Sequence, residues 1–140
     1  MQITRETDYA LRSVHYLAQR PGQVCMVEQI AAGIEVPRSF MAKIIQKLAK
    51  AGLVESHRGA GGGYNLLRPP AEISLYDVIV AIEGPPMMNV CTADNNRCGR
   101  SGQCRIHPVW VALRHDVEEL LKARKFSELL LCCLVVAAVL

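Results

Sequence analysis

The chain has 140 residues, 51% of them hydrophobic, and a net charge of +3. That length holds one compact domain, or one small domain with an oligomerisation element, and excludes a string of independent domains. The charge is uneven: residues 1–70 carry nine Lys/Arg against five Asp/Glu, residues 71–140 seven against eight, so the basic bias that accompanies polyanion binding lies in the first half.

The first helix is predicted over residues 3–20, with Thr4 as N-cap and Glu6 and Asp8 at the positive end of the helix dipole. Ala10, Val14, Leu17 and Ala18 recur on one face, and Pro21-Gly22 stops the helix. A second helix over 26–33 buries Val27, Ile30 and Ala31, and Glu35-Val36 turn the chain. A third starts at Pro37, a favoured first helical position, runs to about Lys50 and stops at Gly52. Two short helices joined by a tight turn, the second led by polar residues, read as a helix-turn-helix. Met41, Ile44, Ile45 and Leu48 form the inner stripe of the third helix. Ser39, Lys43, Gln46 and Lys50 line up outside, bringing hydroxyl, amide and cations to one face suited to phosphates and base edges. Arg38, Ser39, Phe40, Lys43, Gln46, Lys47 and Lys50 are this helix's candidate DNA contacts.

Leu53 to Arg58 alternates like a strand, Gly59-Ala60-Gly61-Gly62-Gly63 makes a flexible tip, and Tyr64-Asn65-Leu66-Leu67 returns. A hairpin directly after a helix-turn-helix is a wing, whose glycines let backbone approach a minor groove and whose Arg58 can enter it. His57, Arg58, Gly59, Gly61, Gly62 and Tyr64 are the wing's candidate contacts. The tip lacks the following Lys-Ser/Thr and the strand-to-helix setting of a nucleotide-phosphate loop.

Pro69-Pro70 closes the winged part, and Ser74 with Asp77 forms a capping box for a helix to about Ile82, ended by Gly84-Pro85-Pro86. Cys91, Cys98, Cys104 and His107 follow in one short polar stretch, with six, five and two residues between them. Soft sulfur ligands select iron–sulfur clusters, zinc or copper(I). The stretch has almost no apolar residues to bury, so a metal centre would supply its missing cross-link. Pro108 opens the longest helix, to at least Phe126, with Trp110, Leu113, Val117, Leu120 and Leu121 as a coiled-coil-like seam for a second copy. Residues 129–140 are an unbroken apolar run with Cys132 and Cys133; it is shorter than the roughly 20 residues a membrane span needs, and reads as a helix end packing on a partner subunit, or a sticky tail, rather than a membrane anchor. Cys25 reads as a small core residue, and His15 and His115 as ordinary helix residues.

Met1 is followed by polar residues rather than a signal peptide, which implies a cytoplasmic chain with reduced thiols. No second cofactor motif and no acid–base constellation marks an enzyme or a small-molecule substrate. The expected organisation is a mainly α chain: a winged helix-turn-helix with a two-stranded wing over 1–70, a connecting helix and metal-binding loop over 71–107, and a long dimerisation helix with an apolar tail over 108–140.

Four motifs carry a resemblance: Thr7-Asp8-Tyr9-Ala10-Leu11-Arg12, Gly52-Leu53-Val54, Arg58-Gly59-Ala60-Gly61-Gly62-Gly63-Tyr64, and the three-cysteine stretch followed by Ile106-His107-Pro108-Val109-Trp110. From Met1 to about Leu130 the chain resembles the IscR/NsrR-type regulators, bacterial winged-helix transcription factors that sense iron–sulfur status, nitric oxide or redox state. The resemblance implies a homodimeric repressor on an imperfectly palindromic operator, with one cluster per subunit near the dimer interface. In the IscR-like branch three cysteines and a histidine hold a 2Fe–2S cluster, and Cys91, Cys98, Cys104 and His107 match that set; the first interval is six residues here, where the nearest relatives usually have five. In the NsrR-like branch an aspartate early in the first helix, supplied by the other subunit, completes a 4Fe–4S cluster, and Asp8 matches that position. Ala42 stands where IscR-like recognition helices often carry an acidic residue. The 2Fe–2S form is preferred, 4Fe–4S is the alternative, and a structural zinc in the same ligands or a metal-free thiol switch are the rival readings.

Overall fold

The computed structural model describes residues 1–93 and 98–131. The first helix, α1, spans Arg5–Ala18, with the Thr4 hydroxyl accepting the Thr7 N–H at 3.3 Å as its N-cap. The second, α2, spans Val27–Gly33, and the third, α3, spans Arg38–Lys50. Pro37 stands one position before α3 rather than inside it, its carbonyl accepting the N–H groups of Phe40 and Met41 at 3.0 and 3.1 Å. Between α2 and α3 the chain turns sharply through Glu35, whose φ of 57° is left-handed, and Val36 N–H closes the turn on Ala31 O at 2.9 Å.

The wing is an antiparallel pair, β1 Val54–His57 and β2 Gly63–Leu66, in register Val54↔Leu66 to His57↔Gly63. Cys25 adds a one-residue third strand: its N–H reaches Tyr64 O at 2.9 Å and Tyr64 N–H returns to Cys25 O at 2.8 Å. Gly63 permits this, because a Cβ there would stand 2.4 Å from Cys25 O. The core expected for Cys25 is therefore correct, and its backbone also ties the wing to the start of α2.

The inner stripes of α1, α2 and α3 meet Leu53, Ile73 and Val78 in one core, with Ile30, Met41, Ile44, Ile45 and Leu48 fully buried. The fourth helix, α4, spans Leu75–Glu83 and has the predicted box: Ser74 N–H donates to Asp77 Oδ2 at 2.8 Å and Asp77 N–H to Ser74 Oγ at 3.2 Å. A single turn, α5, spans Val90–Ala93, and the long helix α6 spans His107–Ala123.

Two expectations for the C-terminal part need correction. The long helix does not reach Phe126. It stops at Ala123, and Lys125 pairs with Ser74: Leu75 N–H donates to Arg124 O and Phe126 N–H to Ile73 O, both at 3.0 Å. A short α7, Phe126–Leu130, follows and packs on α1. Phe126 is sealed in the core at 0% exposure, and burying that ring on the winged domain requires the break. The predicted seam also divides. Trp110, Val117 and Leu121 are half-buried against their own chain, where α6 meets α4 and α5, while Leu113 and Leu120 are exposed. With Val109 these two form a second stripe, exposed at 54%, 43% and 62%. Residues 132–140, with Cys132 and Cys133, lie outside the described residues. Among the described residues no helix is long and apolar enough to cross a membrane.

Phe126→Ala is expected to destabilise the fold by about 3–5 kcal/mol, the usual loss for a buried phenylalanine. Urea unfolding measures it, and a near-wild-type midpoint would mean that α7 is not part of the core.

Candidate DNA interface and cysteine loop

With Met41, Ile44, Ile45 and Leu48 turned inward, α3 exposes Arg38, Ser39, Phe40, Lys43, Gln46, Lys47 and Lys50 together. Two of the cations already have carboxylate partners. Arg38 Nε donates to Glu28 on α2, and Lys47 lies 2.6 Å from Glu6 on α1. The Glu28 carboxyl is held below its ordinary range, first by a backbone N–H in the opening turn of α2 and then by Arg38. Lys43 and Lys50 have no ion pair among the described residues. Phe40 is 55% exposed, an aromatic ring on a face that is otherwise polar or charged.

At the wing, Arg58, Gly59, Ala60 and Gly61 are exposed. Gly59 has a φ of 101°, and Gly62 N–H closes the tip on Gly59 O at 3.0 Å. His57 lies 2.9 Å from Asn65 Oδ1 across the strands, so the ring braces the wing's outer end. Tyr64 is half-buried and packs on the core.

The second group begins where α4 ends. Glu83 accepts the Thr4 N–H at 2.9 Å, the Thr4 hydroxyl at 2.5 Å and the hydroxyl of buried Thr7. Burial alone would raise the Glu83 carboxyl; these hydrogen bonds outweigh it and hold the group below its ordinary pKa. One carboxylate thus fastens the end of α4 to the start of α1. Sequence reasoning missed this latch. Its available signal was Thr7, a polar residue on the stripe of Ala10, Val14 and Leu17.

Beyond Gly84, Pro85 and buried Pro86, α5 carries Cys91 and Thr92, both buried. Cys98 and Cys104 are half-buried in the following loop, and all three thiols are free. His107 opens α6, and its Nδ1 is buried without a hydrogen-bond partner among the described residues. Arg114, also missed in the sequence, donates from Nη1 to Thr92 O and from Nε to Glu118 Oε1, the latter at 2.8 Å. Asp8 is paired with Arg12 on its own helix at 3.0 Å. Among the described residues no three Cys, His, Asp or Glu side chains are gathered closely enough to hold one ion. The donor set nevertheless fits a soft-metal centre: three free thiols, and an imidazole nitrogen withdrawn from water with its lone pair or proton unused.

A helix-turn-helix with a basic exposed helix and a glycine-tipped wing, followed by a cysteine loop and a long helix, defines a winged-helix transcriptional regulator. The chain belongs to the Rrf2 family, "Iron-dependent Transcriptional regulator", which it matches over residues 3–131. It is 34% identical over 125 residues to the HTH-type transcriptional regulator NsrR of Bacillus subtilis (strain 168), covering 88% of this chain and 81% of that one. Two solved structures share its fold. One is CymR (YrzC), the global cysteine regulator of B. subtilis: TM-score 0.72, 26% identity, 92% of this chain and 95% of that one. The other is T. potens IscR: TM-score 0.70, 27% identity, 93% and 86%. The IscR/NsrR resemblance read from the motifs is thereby borne out at the level of family.

Because the Glu83 pKa is depressed, the latch stabilises the fold above the ordinary carboxylate value of 4.5 and is lost as the pH falls through its lower folded value. Glu83→Ala is expected to lower stability by about 1 kcal/mol at pH 7, since the buried Thr7 hydroxyl loses its close partner. The difference from wild type narrows in acid; urea unfolding at pH 7 and pH 3 checks both parts.

Proposed function

We propose that this chain is a cytoplasmic, homodimeric repressor whose operator binding is set by an iron–sulfur cluster on Cys91, Cys98, Cys104 and His107. The observation that carries the reading is the buried, unpartnered Nδ1 of His107 directly after three free thiols. When bound, such a cluster supplies a redox-active cross-link between thiolates that oxidant or nitric oxide can break. His107 is favoured over Asp8 as fourth ligand, because its Nδ1 is buried and without a partner among the described residues, whereas Asp8 lies half-exposed in a surface pair with Arg12. A 2Fe–2S cluster is therefore preferred to 4Fe–4S.

The exposed stripe of Val109, Leu113 and Leu120 is the seam for the second copy; its four-then-seven-residue spacing suits a paired helix. Holding the cysteine loop orients the start of α6, and α6 sets the distance between the two winged domains. Half-site spacing then couples the state of the loop to operator affinity. A metal-free thiol switch is the second reading. It is favoured by the similarity to Staphylococcus aureus CymR, solved in an oxidized form, and by the half-buried Cys98 and Cys104, and structural zinc is the third.

Anaerobic reconstitution with iron and sulfide, followed by visible and resonance Raman spectra of wild type, His107→Ala and Asp8→Ala, tests the cofactor. The expected result is a native signature altered by His107→Ala and kept by Asp8→Ala. A colourless protein with stoichiometric zinc, or oxidant-dependent DNA binding without any metal, overturns it.

On DNA, Lys43→Ala is expected to lower the slope of log affinity against log salt by about 1, as loss of one phosphate contact does. Phe40, an exposed apolar group on the recognition helix, suits a thymine methyl. Replacing thymine by uracil in a selected half-site is expected to weaken wild type and leave Phe40→Ala unaffected, read by fluorescence anisotropy.

A further inference from the structure

We propose that Arg114 is a positioning residue for the metal centre, holding Cys91 in place as a ligand before any metal arrives. The inference rests on the cluster reading above. The helix that carries Cys91, Val90–Ala93, is a single turn, which does not persist in water by itself. Its start is capped by Asn89: Oδ1 accepts the Val90 N–H at 2.7 Å, and the Thr92 hydroxyl returns to the Asn89 carbonyl at 2.7 Å. Its end has the open carbonyl of Thr92, and that carbonyl is where Arg114 donates. Glu118, one turn along α6, orients the guanidinium; the side chains are 30% and 14% exposed, so the pair is sheltered from water.

Thr92, Arg114 and Glu118 line one groove with His107. Since Arg114 and His107 share α6, the clamp fastens Cys91 to the helix that bears His107. The first and last ligands then belong to one rigid piece. Cys98 and Cys104 lie in a loop of two turns, closed by Ser101 N–H to Cys98 O at 3.1 Å and Gln103 N–H to Arg100 O at 3.0 Å. That loop is the part left to close on the metal. Groups behind metal ligands commonly change metal affinity by about 10–100-fold, and here the supporting group acts on the backbone beside the ligand.

The test compares wild type, Arg114→Ala, Arg114→Lys and Glu118→Gln. In the metal-free proteins, pulsed alkylation with iodoacetamide and mass spectrometry reads each thiol. Cys91 is expected to react more slowly than Cys98 and Cys104 in wild type, to lose that protection in Arg114→Ala, and to fall between in Arg114→Lys. In the reconstituted proteins, release of iron to a chelator is expected to be on the order of 10–100-fold faster in Arg114→Ala, with a shifted visible spectrum. Cys91 protection and iron release unchanged from wild type overturn the proposal. Should Arg114→Ala unfold, Arg114→Lys decides: its single ammonium cannot reproduce the fork that bonds Thr92 O and Glu118 together, so unchanged protection and release there also overturn the clamp, whereas Glu118→Gln keeps an acceptor and is expected to retain protection. Wild type that takes up no cluster refutes the cluster reading, and the alkylation comparison then decides the clamp alone.

Discussion

Phe126, sealed among the helices of the winged domain, determines where everything after the wing can go. To deliver that ring, the chain must leave α6 at Ala123, extend for two residues along Ser74 and re-enter as α7. Both ends of the C-terminal half are thereby attached to the DNA-binding half, one through α4 and the other through α7. The long helix is fixed to the winged domain at its C-terminal end, where Leu75 N–H meets Arg124 O and Lys122 lies over the Tyr76 ring, with Trp110, Val117 and Leu121 toward its own chain and Val109, Leu113 and Leu120 away from it. Toward its start it meets α5, through Arg114 on the Thr92 carbonyl.

A second connection runs through charged and hydroxyl groups. Glu83 grips Thr4 and Thr7 at the start of α1, and Glu6, in the same turn, grips Lys47 on α3. The segment leading to the cysteine loop and the recognition helix thus meet on neighbouring residues of one helix turn. This adjacency is a fact of geometry; energetic coupling along it requires two discrete arrangements of the latch.

The winged part was legible in the sequence because its signals are local. Helical spacing, the Ser74–Asp77 box and a glycine tip between alternating runs each act within a few residues, and the observed elements follow them closely. The break at Arg124-Lys125 was not legible, because no proline or glycine marks it and its cause is the burial of Phe126 in a core built by residues distant in sequence, beside Ser74. The split of the α6 seam was hidden for a related reason. Apolar residues at helical spacing say which faces are greasy, and only the placement of α4 and α5 says which of them is already covered. At the cysteine loop the ligand types were legible, whereas the hold of Arg114 on Thr92 spans 22 positions with no local pattern to announce it.

The ion pairs Arg38–Glu28 and Lys47–Glu6 bear on how such a protein searches a genome. A cation neutralised within its own chain attracts random duplex less than a bare one, because its neighbouring carboxylate repels the phosphates it would meet. Only a site offering enough good base contacts compensates for parting the pair. On the proposed reading of α3 as the DNA-contacting helix, such pairing suppresses competing non-specific sites more than a site that parts the pairs. On that reading, it raises discrimination while lowering raw attraction, which suits a regulator that must leave most of the chromosome alone.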